Sequence, residues 1–257
     1  MVEISVEVIC RDIEVIHAVP AGKRDAPLPT IFFFHGYTSS KEVYSYFGYA
    51  LANAGFRVIL PDAPMHGARY DGDEPRRLRR FWDILQSNIQ ELPDYVAAYQ
   101  QRGLIADQRI GVCGASLGAM SALGCMARYP WISAVAAFMG SGYFPTLSRT
   151  LFPPVEAGEE GAEAVLRQLS ATLADYDVSS RLTALSDRPL LVWHGEADDV
   201  VPAQESARLY RALHESRQDG NLLYLTEAGV GHRITPAALR AGADFFQRHL
   251  SAQPRRI

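Results

Sequence analysis

Between Ile110 and Ser148 the chain carries a single charged side chain, Arg128. So long a stretch with so little charge belongs either in the interior of a globular domain or in a membrane. Gly111, Gly114, Gly118, Gly124, Pro130, Gly140, Gly142 and Pro145 interrupt it. It therefore holds no clean run of the ~20 apolar residues that a membrane helix needs. It reads as the buried centre of a sheet with a helix laid against it.

The rest of the chain agrees. Short apolar runs bounded by turn residues mark eight strands: Val2–Ile9, Ile13–Val19, Thr30–Phe34, Phe56–Leu60, Arg109–Cys113, Ser133–Met139, Pro189–Trp193 and Asn221–Thr226. The first two alternate polar and apolar residues, as an exposed antiparallel pair does. Ile31-Phe32-Phe33-Phe34 is apolar throughout, as a strand covered on both faces is. Helical periods fall between the later strands. Ser39-Ser40-Lys41-Glu42 has capping-box spacing and opens a helix with its stripe at Val43, Tyr44, Phe47, Leu51 and Ala54. After Pro75 the stripe Leu78, Trp82, Leu85, Ile89, Leu92 predicts a helix that Pro93 should kink or end. Ser116–Tyr129 is dense in Ala and Gly, Pro202 and Pro236 stand at helix starts, and the last helix runs on Leu239, Ala243, Phe246 and Leu250. Strand–helix alternation of this kind predicts an α/β domain, a mostly parallel eight-stranded sheet with helices on both faces. The 257 residues fit one such domain. No strand falls between Gly140 and Ser186, which predicts a small helical cap insertion at about 141–187, or else a plain surface excursion.

Composition narrows the function. The chain has 25 Lys+Arg against 29 Asp+Glu and a formal net charge of −4. Only Lys23 and Lys41 are lysines, and the one basic knot, Arg76, Arg77, Arg79 and Arg80, reads as a solvated helix face. Nucleic acid is thus excluded as a partner. Three cysteines, Cys10, Cys113 and Cys125, show no metal or redox spacing. The opening MVEISVEVICRDIEV lacks the basic and apolar regions of a signal peptide, so the expected compartment is the cytoplasm.

The chemistry concentrates in Gly114-Ala115-Ser116-Leu117-Gly118, a G-x-S-x-G pattern between a strand and a helix. That setting is a nucleophile elbow: the turn is so tight that its flanks must be small, and it lifts the serine hydroxyl at the sheet edge beside a helix N-terminus. A serine needs a base. Of the late histidines, His214 and His249 fall in helices and read as surface. His194 ends a strand, and His232 sits in the flexible Gly229-Val230-Gly231-His232-Arg233 loop, which favours it. An acid is expected after the strand Pro189–Trp193. There the H-G-x-x-D-x-x-V-P spacing selects Asp198 over its neighbours Asp199 and Glu196. The oxyanion hole is expected from the N–H groups of Leu117 and of Tyr37, in His35-Gly36-Tyr37-Thr38, with His35 in a structural hydrogen bond. Tyr143, Phe144 and Phe152 are placed in the substrate pocket, and Trp82 in the core. There is no metal-binding, phosphate-loop or dinucleotide pattern, so neither cofactor nor metal is expected.

These residues in this order resemble the α/β-hydrolase fold over nearly the whole chain. The stretches Tyr44-Ser45-Tyr46-Phe47, Pro61-Asp62-Ala63-Pro64, Gly140-Ser141-Gly142-Tyr143-Phe144, Ser186-Asp187-Arg188-Pro189-Leu190-Leu191 and His232-Arg233-Ile234-Thr235-Pro236 resemble the YjfP-like bacterial carboxylesterases, in the dienelactone-hydrolase-like or prolyl-oligopeptidase-like group. The resemblance implies Ser116 as nucleophile, Asp198 as acid and His232 as base, with activity on short acyl esters. Dienelactone hydrolases proper use cysteine, and Ser116 departs from them. The expected enzyme is a serine carboxylesterase that forms an acyl-enzyme. Its alternatives are a thioesterase or small-peptide hydrolase on the same triad, or a binding protein on this fold. The expected partner is a small-molecule ester, with a homodimer left open.

Overall fold

The computed structural model describes residues 1–156 and 158–251. Residue 157 of the expected cap and residues 252–257 of the expected domain lie outside the described residues. The elements are β1 (Val2–Ile9), β2 (Ile13–Pro20), β3 (Leu28–Phe34), α1 (Ser45–Asn53), β4 (Arg57–Pro61), α2 (Glu74–Arg79), α3 (Phe81–Gln101), β5 (Ile105–Ala115), α4 (Leu117–Arg128), β6 (Ala134–Phe138), α5 (Phe144–Leu147), α6 (Ala162–Leu173), α7 (Leu182–Ser186), β7 (Leu190–Gly195), α8 (Ala203–Glu215), β8 (Leu222–Glu227) and α9 (Pro236–Leu250). All eight strands join one sheet in the order β1-β2-β4-β3-β5-β6-β7-β8. β2 is antiparallel to both β1 and β4, and the remaining pairs are parallel. Among the described residues, no helix is long and apolar enough to cross a membrane.

The run Ile31–Phe34 is apolar because it faces two cores. Phe32 and Phe34 enter one, with Trp82, Leu85, Met120 and Val192. Ile31 and Phe33 enter the other, with Phe47, Leu51, Phe138 and Phe246. α3 and α4 thus cover one face of the sheet, and α1 and α9 the other.

Four local expectations are corrected. α1 opens at Ser45, not Ser39, and Tyr44 is its N-cap. The reason lies in the segment that follows the neighbouring strand β4. Asp62 accepts a hydrogen bond from Lys41 N at 2.9 Å and from Lys41 Nζ at 2.7 Å, which holds residues 39–44 in a turn. The helix expected after Pro75 is broken at Arg80 into α2 and α3, so Leu78 is left 46% exposed while Trp82 is buried. Arg77 leaves the solvated face and lies over the Tyr70 ring, 4.2 Å from its centroid. Finally, of the two outcomes expected at Pro93, an end to the helix does not occur: α3 runs through it to Gln101. Proline denies the Ile89 carbonyl its helical donor, and the Tyr129 hydroxyl replaces it at 2.9 Å.

Two buried imidazoles tie stability to pH. His17, on β2, accepts a hydrogen bond from Arg57 Nε at 2.9 Å. His66 lies in the loop after β4, and both side chains are fully buried. Burial pushes each down to about 4. Unfolded, each would take up its proton near pH ~6.5. Between those values the unfolded chain binds more protons, so acid favours unfolding. Urea unfolding should therefore show stability that is complete near pH ~7 and lower at pH ~4.5, by on the order of 2 kcal/mol per imidazole. Equal midpoints at the two pH values would contradict this.

Candidate active site

Five loops meet at the carboxyl ends of the parallel strands, where open α/β sheets place their sites. They follow β3, β5, β6, β7 and β8. Ser116 occupies the turn from β5 into α4 with φ 57° and ψ −117°. For a residue with a Cβ this backbone is strained by roughly 1–3 kcal/mol. The strain is held by Ser116 N, which donates to Phe138 O at 2.9 Å, and by α4 pressed against β3. A Cβ at Gly118 would stand 1.9 Å from Phe34 O, so only glycine permits that approach.

Ser116 Oγ lies 2.9 Å from His232 Nε2, although the two residues are 116 apart in sequence. His232 Nδ1 lies 2.7 Å from Asp198 Oδ2. The loops after β7 and β8 are tied together by their backbones: Glu196 N donates to Glu227 O at 3.0 Å and Ala197 N to Val230 O at 2.9 Å. Gly195 allows this, since a Cβ there would meet Val230 O at 2.4 Å. Asp198 Oδ2 also takes a hydrogen bond from His194 Nε2 at 3.1 Å, and Oδ1 accepts from Val200 N at 2.9 Å and Val201 N at 3.0 Å. Burial by itself would raise the Asp198 pKa. The donors from His194, His232 and Val200 outweigh it and hold the carboxyl well below the usual carboxylate range. The buried anion is aimed at the imidazole and fixes its Nδ1–H tautomer, which leaves Nε2 to accept the serine proton. Of the other acids weighed, Asp199 is exposed, and Glu196 takes the Thr226 hydroxyl at 2.7 Å.

The cavity over Ser116 has a volume of about 430 Å³, and Tyr37, Val43, Tyr44, Tyr46, Met139 and Ile234 line it. Leu117 N–H stands at the first position of α4, where a helix leaves its amides unpartnered. Tyr37 N–H has no acceptor among the described residues. The expected pocket residues lie elsewhere. Phe144 is fully buried, 6.2 Å from the Trp82 ring. Tyr143 is buried under the Arg208 guanidinium. Phe152 stacks on Phe81 and backs Tyr37, 5.0 Å between ring centroids, without lining the cavity. The segment between β6 and β7 leans on α2 and α3 instead, forming a groove with Arg79, Trp82 and Gln86. Sequence position alone suggested those aromatics. Tyr44 was assigned to a helix stripe, and Tyr46, two residues on, was given no place in the pocket.

Glu14, Glu42 and Asp62 lie close enough together to bind a metal ion, but they converge on Lys41 Nζ at 2.7, 2.8 and 2.7 Å. Burial opposes the ammonium charge, and the three carboxylates more than offset it, so the Lys41 pKa is raised.

An eight-stranded, mostly parallel sheet with a serine on its β5–α4 elbow defines an α/β-hydrolase, an enzyme of the serine-hydrolase class. The chain belongs to the prolyl oligopeptidase family, whose model matches residues 48–253. It is 51% identical over 239 residues to Esterase YjfP of Escherichia coli, covering 93% of this chain and 96% of that protein. The crystal structure of TT1662 from Thermus thermophilus superposes with a TM-score of 0.75 and 26% identity, covering 98% of this chain and all of that one. A puromycin-hydrolyzing peptidase of Mycobacterium tuberculosis shares the fold with a TM-score of 0.71 over 99% of this chain, which spans 40% of that longer one.

Gly118→Ala tests the elbow. In an ordinary helix the change stabilises by up to about 1 kcal/mol. Here urea titration should show a loss of about 3 kcal/mol, because the methyl group would force α4 off Phe34 O. A neutral or stabilising result would mean that the close approach is not needed.

Proposed function

We propose that this protein is a cytoplasmic serine carboxylesterase that hydrolyses short-chain acyl esters of small molecules through an acyl-enzyme. Ser116 is the nucleophile, His232 the base and Asp198 the acid. The observation that carries the reading is the unbroken chain Ser116 Oγ to His232 Nε2 at 2.9 Å and His232 Nδ1 to Asp198 Oδ2 at 2.7 Å. His232 accepts the hydroxyl proton as Oγ attacks the ester carbonyl, and the N–H groups of Tyr37 and Leu117 receive the oxyanion. Collapse of the adduct expels the alcohol, which takes the proton from His232. Water then gives a proton to the same nitrogen, attacks the acyl carbonyl, and frees the acid and Ser116.

The likeness to Esterase YjfP supports an ester substrate. The small cavity with three tyrosines on its walls supports a short acyl group. A thioester would meet the same nucleophile and oxyanion donors. The free cysteines Cys10, Cys113 and Cys125 suit the cytoplasm.

A fluorophosphonate should label the wild-type protein, and Ser116→Ala should abolish labelling. Label retained in that variant would reject the nucleophile. Asp198→Asn should lower kcat by about 10⁴-fold on a short-chain nitrophenyl ester, while Asp199→Asn should change it by less than ~3-fold. Equal losses would remove Asp198 from its role.

A further inference from the structure

Two histidines outside the proposed triad flank Tyr37, and their hydrogen bonds define which way its peptide faces. His35 Nδ1 lies 2.8 Å from Gly36 O, while His35 Nε2 accepts from Ala63 N at 3.0 Å. His66 Nε2 accepts from Thr38 N at 3.0 Å, while its Nδ1 lies 2.8 Å from Pro64 O. These partners leave no choice of tautomer. An amide N–H can only donate and a carbonyl can only accept, so both rings are Nδ1–H imidazoles with a bare Nε2.

The trans peptide between Gly36 and Tyr37 is planar, with its C=O and N–H on opposite sides. Gly36 O is drawn to His35 Nδ1–H and also accepts from Ser39 N at 3.3 Å. Tyr37 N–H is thereby turned the other way, and Gly36 and Tyr37 border the Ser116 cavity. One peptide on, His66 fixes Thr38, whose φ of 56° is a strained backbone that needs such an anchor. The anchor is itself anchored, because Asp62 accepts from Lys41 N and Ala68 N, both at 2.9 Å, and so shapes the loop that carries His66.

We infer that His35 and His66 are positioning residues for the oxyanion donor at Tyr37, His35 through a hydrogen-bond donor at its Nδ1 and His66 through an acceptor at its Nε2. Both must stay neutral. His66 is faced by His35, Asp62, Arg77 and the Tyr37 ring, and burial keeps it uncharged at neutral pH. Burial likewise pushes His35 down. The inference rests on the serine-hydrolase reading of Ser116, and the readout below separates the two.

Asparagine places a polar atom where a histidine has Nδ1, and glutamine places one where it has Nε2. The two positions should therefore prefer opposite amides. His35→Asn keeps the donor to Gly36 O and His35→Gln does not; His66→Gln keeps the acceptor for Thr38 N–H and His66→Asn does not. The rate of Ser116 phosphonylation by a fluorophosphonate is measured on the folded fraction of all four variants, with kcat and KM on a short-chain ester beside it. His35→Gln and His66→Asn should each lose about 100-fold in phosphonylation rate and in kcat with KM changed by less than ~3-fold. His35→Asn and His66→Gln should recover at least ~10-fold of that loss. Equal rates for the two amides at each position, or losses confined to KM, would overturn the positioning role while leaving the nucleophile intact. A wild-type serine that the probe does not label would overturn both readings.

Discussion

The close approach of α4 to β3 at Gly118 is the contact on which the site depends. It lets the chain leave β5 and enter a helix through one residue, and that residue is Ser116 with a positive φ. The turn sets the hydroxyl at the carboxyl end of the sheet and the Leu117 amide beside it. The rest of the site consists of loops from neighbouring strands brought to those two groups. Weakening the approach would relax the strained turn and unseat the Ser116 hydroxyl and the Leu117 amide together.

The loops are held by polar groups that the interior keeps in one protonation state. Asp198 remains an anion because hydrogen-bond donors surround it. His17 and His66 remain neutral because burial opposes their charge. Lys41 remains a cation because three carboxylates share it. Buried groups with one available state make directional hydrogen bonds. The same arrangement exposes the fold to acid, since the imidazoles charge readily once unfolded.

Much of this was legible in the residues. All eight strands could be found because their apolar runs are short and bounded by turn residues. The elbow was legible because G-x-S-x-G sits between a strand and a helix. His232 and Asp198 were legible because each lies in a loop directly after a strand that ends on the same edge. The lining of the cavity over Ser116 was not. Tyr143 and Phe144 follow β6 and so looked well placed, but the chain turns away there and buries both rings. Tyr44 and Tyr46 took that place because Asp62 delays the start of α1, and a capping-box pattern carries no information about a carboxylate 21 residues downstream.

The amino-acid sequence by itself determined the order of strands and helices, the two-sided core and the serine that occupies the β5–α4 turn. Those follow from local periodicity and from the small residues that a sharp turn demands. Only the tertiary structure decided which aromatic rings line the cavity, how Pro93 is tolerated inside α3, and which way the Tyr37 amide faces. Each of those depends on a hydrogen bond or packing contact between residues far apart in the chain, and such partners leave no periodic trace in sequence.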